Sequence, residues 1–231
     1  MADKPSRALV IYGDGQASLL HAHFHSFASR AACGFLSLRA AETESDRMVR
    51  ELSQLLDVYD PTISERFMGL RAAIVTVGLS ILQLDQLAHK LLSLLGFSQG
   101  NVLEKNDFDL VLLHIWLNKL LGEVMETAQS EPNVASRLHT SVILSYNTVS
   151  ETNSDLSLLR PRQSYTMKGG DIRHDHPMLL AQWQEGVTRR DMARSFSFKE
   201  FKETGGNLAI LADRFLHEVA FKLWKAPKYG A

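Results

Sequence analysis

The chain has one cysteine in 231 residues, no surplus of either charge and no long uninterrupted apolar run. The lone Cys33 excludes an internal disulfide, and its setting among small and apolar residues (AACGFL) predicts a buried, inert thiol with no redox or nucleophilic duty. With 25 Lys and Arg against 26 Asp and Glu, the formal net charge is -1. Such a molecule has no global field to steer a polyanion, so nucleic acid is not an implied partner. The apolar region Leu79–Leu95 is interrupted by Gln83, Asp85, Gln86, His89 and Lys90, which a bilayer core would penalise, so no membrane span is expected. The opening MADKPSR runs into a short apolar segment ending in Gly-Asp-Gly, with no small-residue cleavage pattern behind it. A secreted chain is therefore not expected, and a cytoplasmic location is. There is no internal repeat and no low-complexity tract.

What is present is enough apolar content, 45% of residues, to bury one sizeable core, and the length fits a single domain over residues 1–231. Short apolar runs alternate with helical spacings. RALVIY (Arg7–Tyr12) is a buried-strand pattern that stops at Gly13-Asp14-Gly15. Leu20, Phe24, Phe27 and Ala28 mark a helix, followed by a strand over Gly34–Leu38. Thr43, Glu44, Ser45 and Asp46 are cap-type residues before a stripe of Met48, Val49, Leu52, Leu55 and Leu56. Further strands are expected at Leu70–Val77, Phe108–Ile115, Val142–Ser145 and Met178–Trp183, with helices over Ile81–Leu95, Leu117–Gln129 and Asn207–Leu223. Tyr146–Arg173, rich in Ser, Thr, Asn, Pro and Gly, reads as a long irregular excursion. This alternation predicts an α/β fold, a largely parallel sheet with helices on both faces, whose ligands would sit beyond the C-terminal strand ends.

Several segments, in order, resemble the archaeal-type cofactor-independent phosphoglycerate mutases of the alkaline-phosphatase superfamily. They are ALVIYGDG, HFHSFASRAACGFLSL, FDLVLLHI, the stretch from HPMLLAQ through GVTRRDMARSF and GGNLAI, and the ending KAPKYGA. The resemblance implies an alkaline-phosphatase-like core and a chemistry in which two divalent metals clamp phosphate oxygens and activate a Ser or Thr. It puts Asp14 at the first metal-binding position and Ser45-Asp46 near the nucleophile, although Ser45 also suits a plain helix cap. Later motifs depart from the family: Lys119 and Glu123 follow His114 where Asp and His are expected, and Tyr146-Asn147 stands where an Asp-His pair would be. An ammonium is no metal ligand while protonated. Asp171, His174, Asp175 and His176 form the one crowd of ligand-type residues, at the place of the family's last metal-binding His. His21, His23 and His25 invite a zinc reading, but no Cys or carboxylate partner is evident. The family's inserted lid has no counterpart, since only Asp57–Gly69 separates the elements it would join, and a mutase needs a lid to keep water from the phosphoryl group.

Two readings follow. The first is a catalytically inert relative kept as a scaffold for a protein partner or a small phosphorylated ligand, with no cofactor. The second is a minimal metal-dependent phosphatase or phosphodiesterase using Asp14, Ser45 and one divalent metal held with Asp171, His174 and His176. Whether the chain is an enzyme stays open between them.

Overall fold

The computed structural model of the protein describes residues 5–13, 22–39, 47–57, 66–76, 84–98, 100–114, 118–145 and 177–227. Its centre is a seven-stranded sheet in the order β3-β6-β1-β7-β8-β2-β9. The strands are β1 Arg7–Gly13, β2 Ala32–Ser37, β3 Ala72–Thr76, β6 Leu110–His114, β7 Leu138–Leu144, β8 Met178–Trp183 and β9 Asn207–Leu211; β4 Phe97–Ser98 and β5 Asn101–Val102 form a separate small hairpin. β1 runs parallel to β6 and β7, β3 parallel to β6, and β2 parallel to β9. β8 alone is antiparallel to its neighbours β7 and β2. The fold is thus the mixed α/β architecture that the alternation of apolar runs and helical stripes predicts.

The helices are α1 Ala22–Ala28, α2 Arg47–Leu56, α3 Leu84–Leu94, α4 Asn118–Ser130, α5 Pro132–Arg137, α6 Phe198–Thr204 and α7 Ala212–Lys222. Strand side chains alternate between faces, so β1 divides its apolar residues between two cores. Leu9 and Ile11 join Phe24 and Phe27 of α1, Leu91 of α3, Val124 of α4 and Phe201 of α6. Ala8, Val10 and Tyr12 join Leu55 of α2 and Phe215, Leu216 and Val219 of α7. Both faces being covered, β1 and β7 are buried almost end to end, β1 with apolar side chains from Ala8 to Tyr12 and β7 with apolar ones in its second half.

The starts of β1, β3 and β6 are tied together by side chains at one edge. Arg7 donates to Leu95 O at 2.8 Å and to Asn106 Oδ1 at 2.8 Å, and Asn106 donates to Asp109 Oδ1 at 3.1 Å. Arg71 donates to the same carboxylate at 3.0 Å. Burial alone would raise the Asp109 pKa, but the hydrogen bonds from Arg71 and Asn106 outweigh it and hold the carboxyl below its usual value. Gly96 closes α3 with φ +80, and a Cβ there would stand 2.7 Å from Asn106 Cβ, so this turn needs glycine both for its backbone and for its space.

One sequence expectation is corrected. Asn207–Leu223 is not a single helix: Asn207–Leu211 forms β9, paired with β2, and the helix begins at Ala212. Leu208, Leu211 and Phe215 fit a helical spacing, but the first part of the stretch gains sheet hydrogen bonds beside β2, and tertiary pairing overrides local periodicity. Phe215, Val219 and Leu223 are buried as expected, whereas Arg214, Glu218 and Lys222 are half-buried rather than facing water.

Candidate functional site

In parallel sheets the edge at the C-terminal strand ends gathers the loops that can converge on a ligand. Here Gly13 of β1 pairs with Leu144 of β7, Tyr12 with His114 of β6, and Leu144 in turn with Leu179 of β8. β8 enters the sheet at this same edge, because Met178 pairs with Leu36 near the end of β2. The described neighbours of the sequence-predicted residues therefore lie along one edge: Gly13 precedes Asp14, and Pro177, leading into β8, follows His176. Asp14, Ser45, Asp171, His174, Asp175 and His176 themselves lie outside the described residues, as do Tyr146 and Asn147. The backbone of Lys119 belongs to α4, and Glu123, one turn later, is half-buried there.

On the α2 and α7 side of this edge, Tyr12 donates its hydroxyl to Glu51 Oε2 at 2.7 Å, and both residues are buried. Arg39, just past β2, pairs with Asp213 of α7 at 2.7 Å and exchanges hydrogen bonds with Gln54 of α2. These contacts lock the two helices of one face onto the strand ends. Among the described residues, no group of three or more His, Cys, Asp or Glu is placed to hold a metal ion.

The histidines of α1 do other work. His25 Nδ1 accepts the Phe196 N–H at 3.1 Å, and the His23 ring lies against Gly122 of α4, where a Cβ would come within 2.7 Å of it. His21 lies outside the described residues. Cys33 is fully buried, and burial pushes its thiol up to about 12, which leaves it a neutral thiol as the sequence predicts.

Two polar clusters escape a reading of the sequence alone. In the TRRD segment, Asp191 accepts the backbone N–H groups of Cys33 at 2.8 Å and Gly206 at 2.9 Å, and Arg189 Nε at 2.5 Å. It thereby joins three segments distant in sequence, and nothing local in Arg189-Arg190-Asp191 signals this. The second cluster is on β7, where His139, 1% exposed, sets Nε2 3.3 Å from Ser141 Oγ and 3.3 Å from Gln182 Nε2 of β8. Among the described residues its Nδ1 has no hydrogen-bond partner. Burial, and secondarily the Lys222 ammonium, push this imidazole down to about 3, so the ring is neutral. A missed helix, α6, did carry a signal: Ser197 accepts the Glu200 N–H at 3.3 Å, the first half of a capping box legible as Ser-x-x-Glu.

Comparison of the sequence with known protein families and with curated proteins finds no match. Among solved structures, the chain is similar to the PH0037 protein from Pyrococcus horikoshii, at 13% identity over 100% of both chains with a TM-score of 0.51. That likeness concerns the fold alone.

No helix among the described residues is long and apolar enough to cross a membrane.

Proposed function

We propose that the chain is a catalytically inert relative of the cofactor-independent phosphoglycerate mutases that works in the cytosol as a scaffold for another protein. The observation that supports this is the edge strand β3. Among the described residues it pairs only with β6, its sequence Ala-Ala-Ile-Val-Thr has neither charge nor proline, and Ile74 is 53% exposed. Met68, in the turn leading to it, is 60% exposed. Edge strands offer a row of N–H and C=O groups to any passing strand, and proteins that avoid such pairing place Lys, Pro or a bulge there. β3 has none of these, which suits it to accept a strand from a partner through main-chain hydrogen bonds, with Ile74 supplying side-chain contact. The opposite edge strand, β9, continues directly into α7, and Ala209 and Leu211 are buried.

The test is Ile74→Lys. Because the side chain is already half out in water, the change should alter stability by only about 0.5 kcal/mol, while abolishing co-purification of the bound protein from the native cell. In the bound wild type, the amides of residues 72–76 should exchange more slowly than in the isolated chain. A variant that retains its partners, with β3 amides exchanging equally fast in both states, would end the proposal.

The arrangement of strand ends favours a second reading, a minimal metal-dependent phosphatase or phosphodiesterase using Asp14, Ser45 and the Asp171–His176 stretch, because the described residues flanking Asp14 and His176 share one edge. A divalent metal bound there would supply charge to neutralise phosphate oxygens while Ser45 served as nucleophile. Elemental analysis of protein purified without chelator separates the two: near-stoichiometric metal that falls in Asp14→Asn favours the enzyme, and a metal-free protein favours the scaffold.

A further inference from the structure

β7 lies in the interior of the sheet and is buried along its length, yet its N-terminal half carries polar side chains. His139 and Ser141 point to the face covered by α2 and α7, since Ile143, two residues on, belongs to that core. Gln182, beside Ser141 on β8, donates to Ser141 Oγ at 3.3 Å and reaches His139 Nε2 at the same distance. With the Gln182 amide donating into Nε2, the ring proton belongs on Nδ1, which is buried without an acceptor. The surroundings offer a second charge nothing to pair with. β1 brings Ala8 and Val10 to this face, β8 brings Leu180 and Gln182, and α7 brings the Lys222 ammonium, itself pressed down by burial although Glu218 one turn back opposes this. Lys225 follows just past the helix end, and Arg137 before β7 is exposed. Apart from Glu218, which acts on Lys222, the described carboxylates of this layer sit at the other end of the strands, Glu51 on Tyr12 and Asp213 on Arg39, with His217 against Phe67.

We propose that His139 makes the α7 layer acid-releasable: proton uptake by the buried ring lifts α7 from the sheet while the layer of α1, α3 and α4 on the other face holds. The protonated ring would carry a second N–H at Nε2, facing the donating Gln182 amide and a Ser141 Oγ that already takes a hydrogen bond from it, an Nδ1–H without an acceptor among the described residues, and a positive charge within reach of Lys222. Desolvated charge of this kind is relieved by admitting water, and α7 is the described helix on that face whose charge, at Lys222, reaches the ring. The opposite face is built from Phe24, Phe27, Leu91, Val124 and Phe201, with no titratable side chain from β7 facing it.

Hydrogen exchange on the full chain between pH 8 and 5, corrected for intrinsic rates, reads this out. The amides of α7 should open about tenfold more for each pH unit below ~6.5, as one-proton linkage requires, while those of α3 and α4 stay protected. His139→Gln should make the α7 response flat, and His217→Gln should leave it intact. Should His139→Gln fail to fold, Lys222→Met decides once exchange is followed down to about pH 3.5: removing that ammonium raises the folded value of the ring, so the response should begin at the same pH but level off sooner, with several-fold less total opening. Ring signals from the wild type add a check: His139 should charge only together with α7 opening. A pH-independent α7, a response unchanged in both His139→Gln and Lys222→Met, or one abolished by His217→Gln would overturn the proposal.

Discussion

At the scale of single residues, burial decides chemistry. Cys33 reads from sequence as an inert thiol, and the structure gives the reason: zero exposure, weak contacts from its sulfur to the carbonyls of Ala28 and Ala31, and a thiol pushed up to about 12. Thiolate, not thiol, attacks a disulfide reagent, so at pH 8 Cys33 should be unreactive in the folded protein and fully reactive in denaturant. The measurement is the labelling rate with an aromatic disulfide in native buffer and in urea; rapid native labelling would show a solvent path to β2. His139 is the counter-example. Nothing in Leu-His-Thr-Ser distinguishes a surface histidine from a buried one, because its environment is assembled by β1, β8 and α7, which are remote in sequence.

Among elements, α7 is where sequence and structure diverge most usefully. The stripe Phe215, Val219 and Leu223 is legible and is buried in the same core as Val10, Leu36 and Leu180 of the sheet. The start of the helix is not legible, because Leu208 and Leu211 serve a helical period and a strand equally well and only the presence of β2 alongside selects the strand. Phe215 is 1% exposed. Phe215→Ala should therefore cost ~3 to 5 kcal/mol by lost burial and a residual cavity, measured by urea unfolding. Ser45→Ala, if Ser45 acts only as a cap, should cost about 1 kcal/mol and leave cellular activity untouched. A folded Ser45→Ala that loses a cellular phenotype would instead make the serine chemically active and favour the phosphatase reading.

For the whole molecule, His139 and Asp109 are two described groups whose shifts bear on the acid limb of stability, and they fall in different pH windows. His139 has a folded value near 3, lowered from an ordinary 6.5. Its contribution is complete above the unfolded value and falls away as pH drops from 6.5 toward 3, since the unfolded chain then binds the proton that the folded one excludes. Asp109 is depressed below 3.8, so what it contributes is present above that value and is lost only as pH falls through its still lower folded one. Acid destabilisation should therefore begin with the histidine. Unfolding free energy should drop by about 2 kcal/mol between pH 6.5 and 5 in the wild type and much less in His139→Gln, as urea titrations at each pH would record. A wild-type profile flat down to pH 4 would show that the ring is hydrated in the folded state. Asp191 illustrates the same scale without a pH signal: one carboxylate fastens Cys33, Arg189 and Gly206, so it binds together β2, the loop after β8 and the approach to β9.

The sequence by itself determined the α/β class, the existence of β1, β3, β6 and β8, and the buried stripe of α7, although Val49, placed on the α2 stripe by its spacing, is 60% exposed; these readings rest on local periodicity and on the near-continuous apolar character of strands covered on both sides. It also named residues for a site by likeness, and the flanking strand ends of Asp14 and His176 fall on one edge. Only the tertiary structure decided that β8 runs against its neighbours, that β9 is strand, that β3 is an edge among the described strands with Ile74 half exposed, and that His139 is buried on the sheet face shared with α7. Each of these depends on which distant segment lies alongside, and pairing across the sheet and burial beneath a helix are energies that no window of neighbouring residues contains.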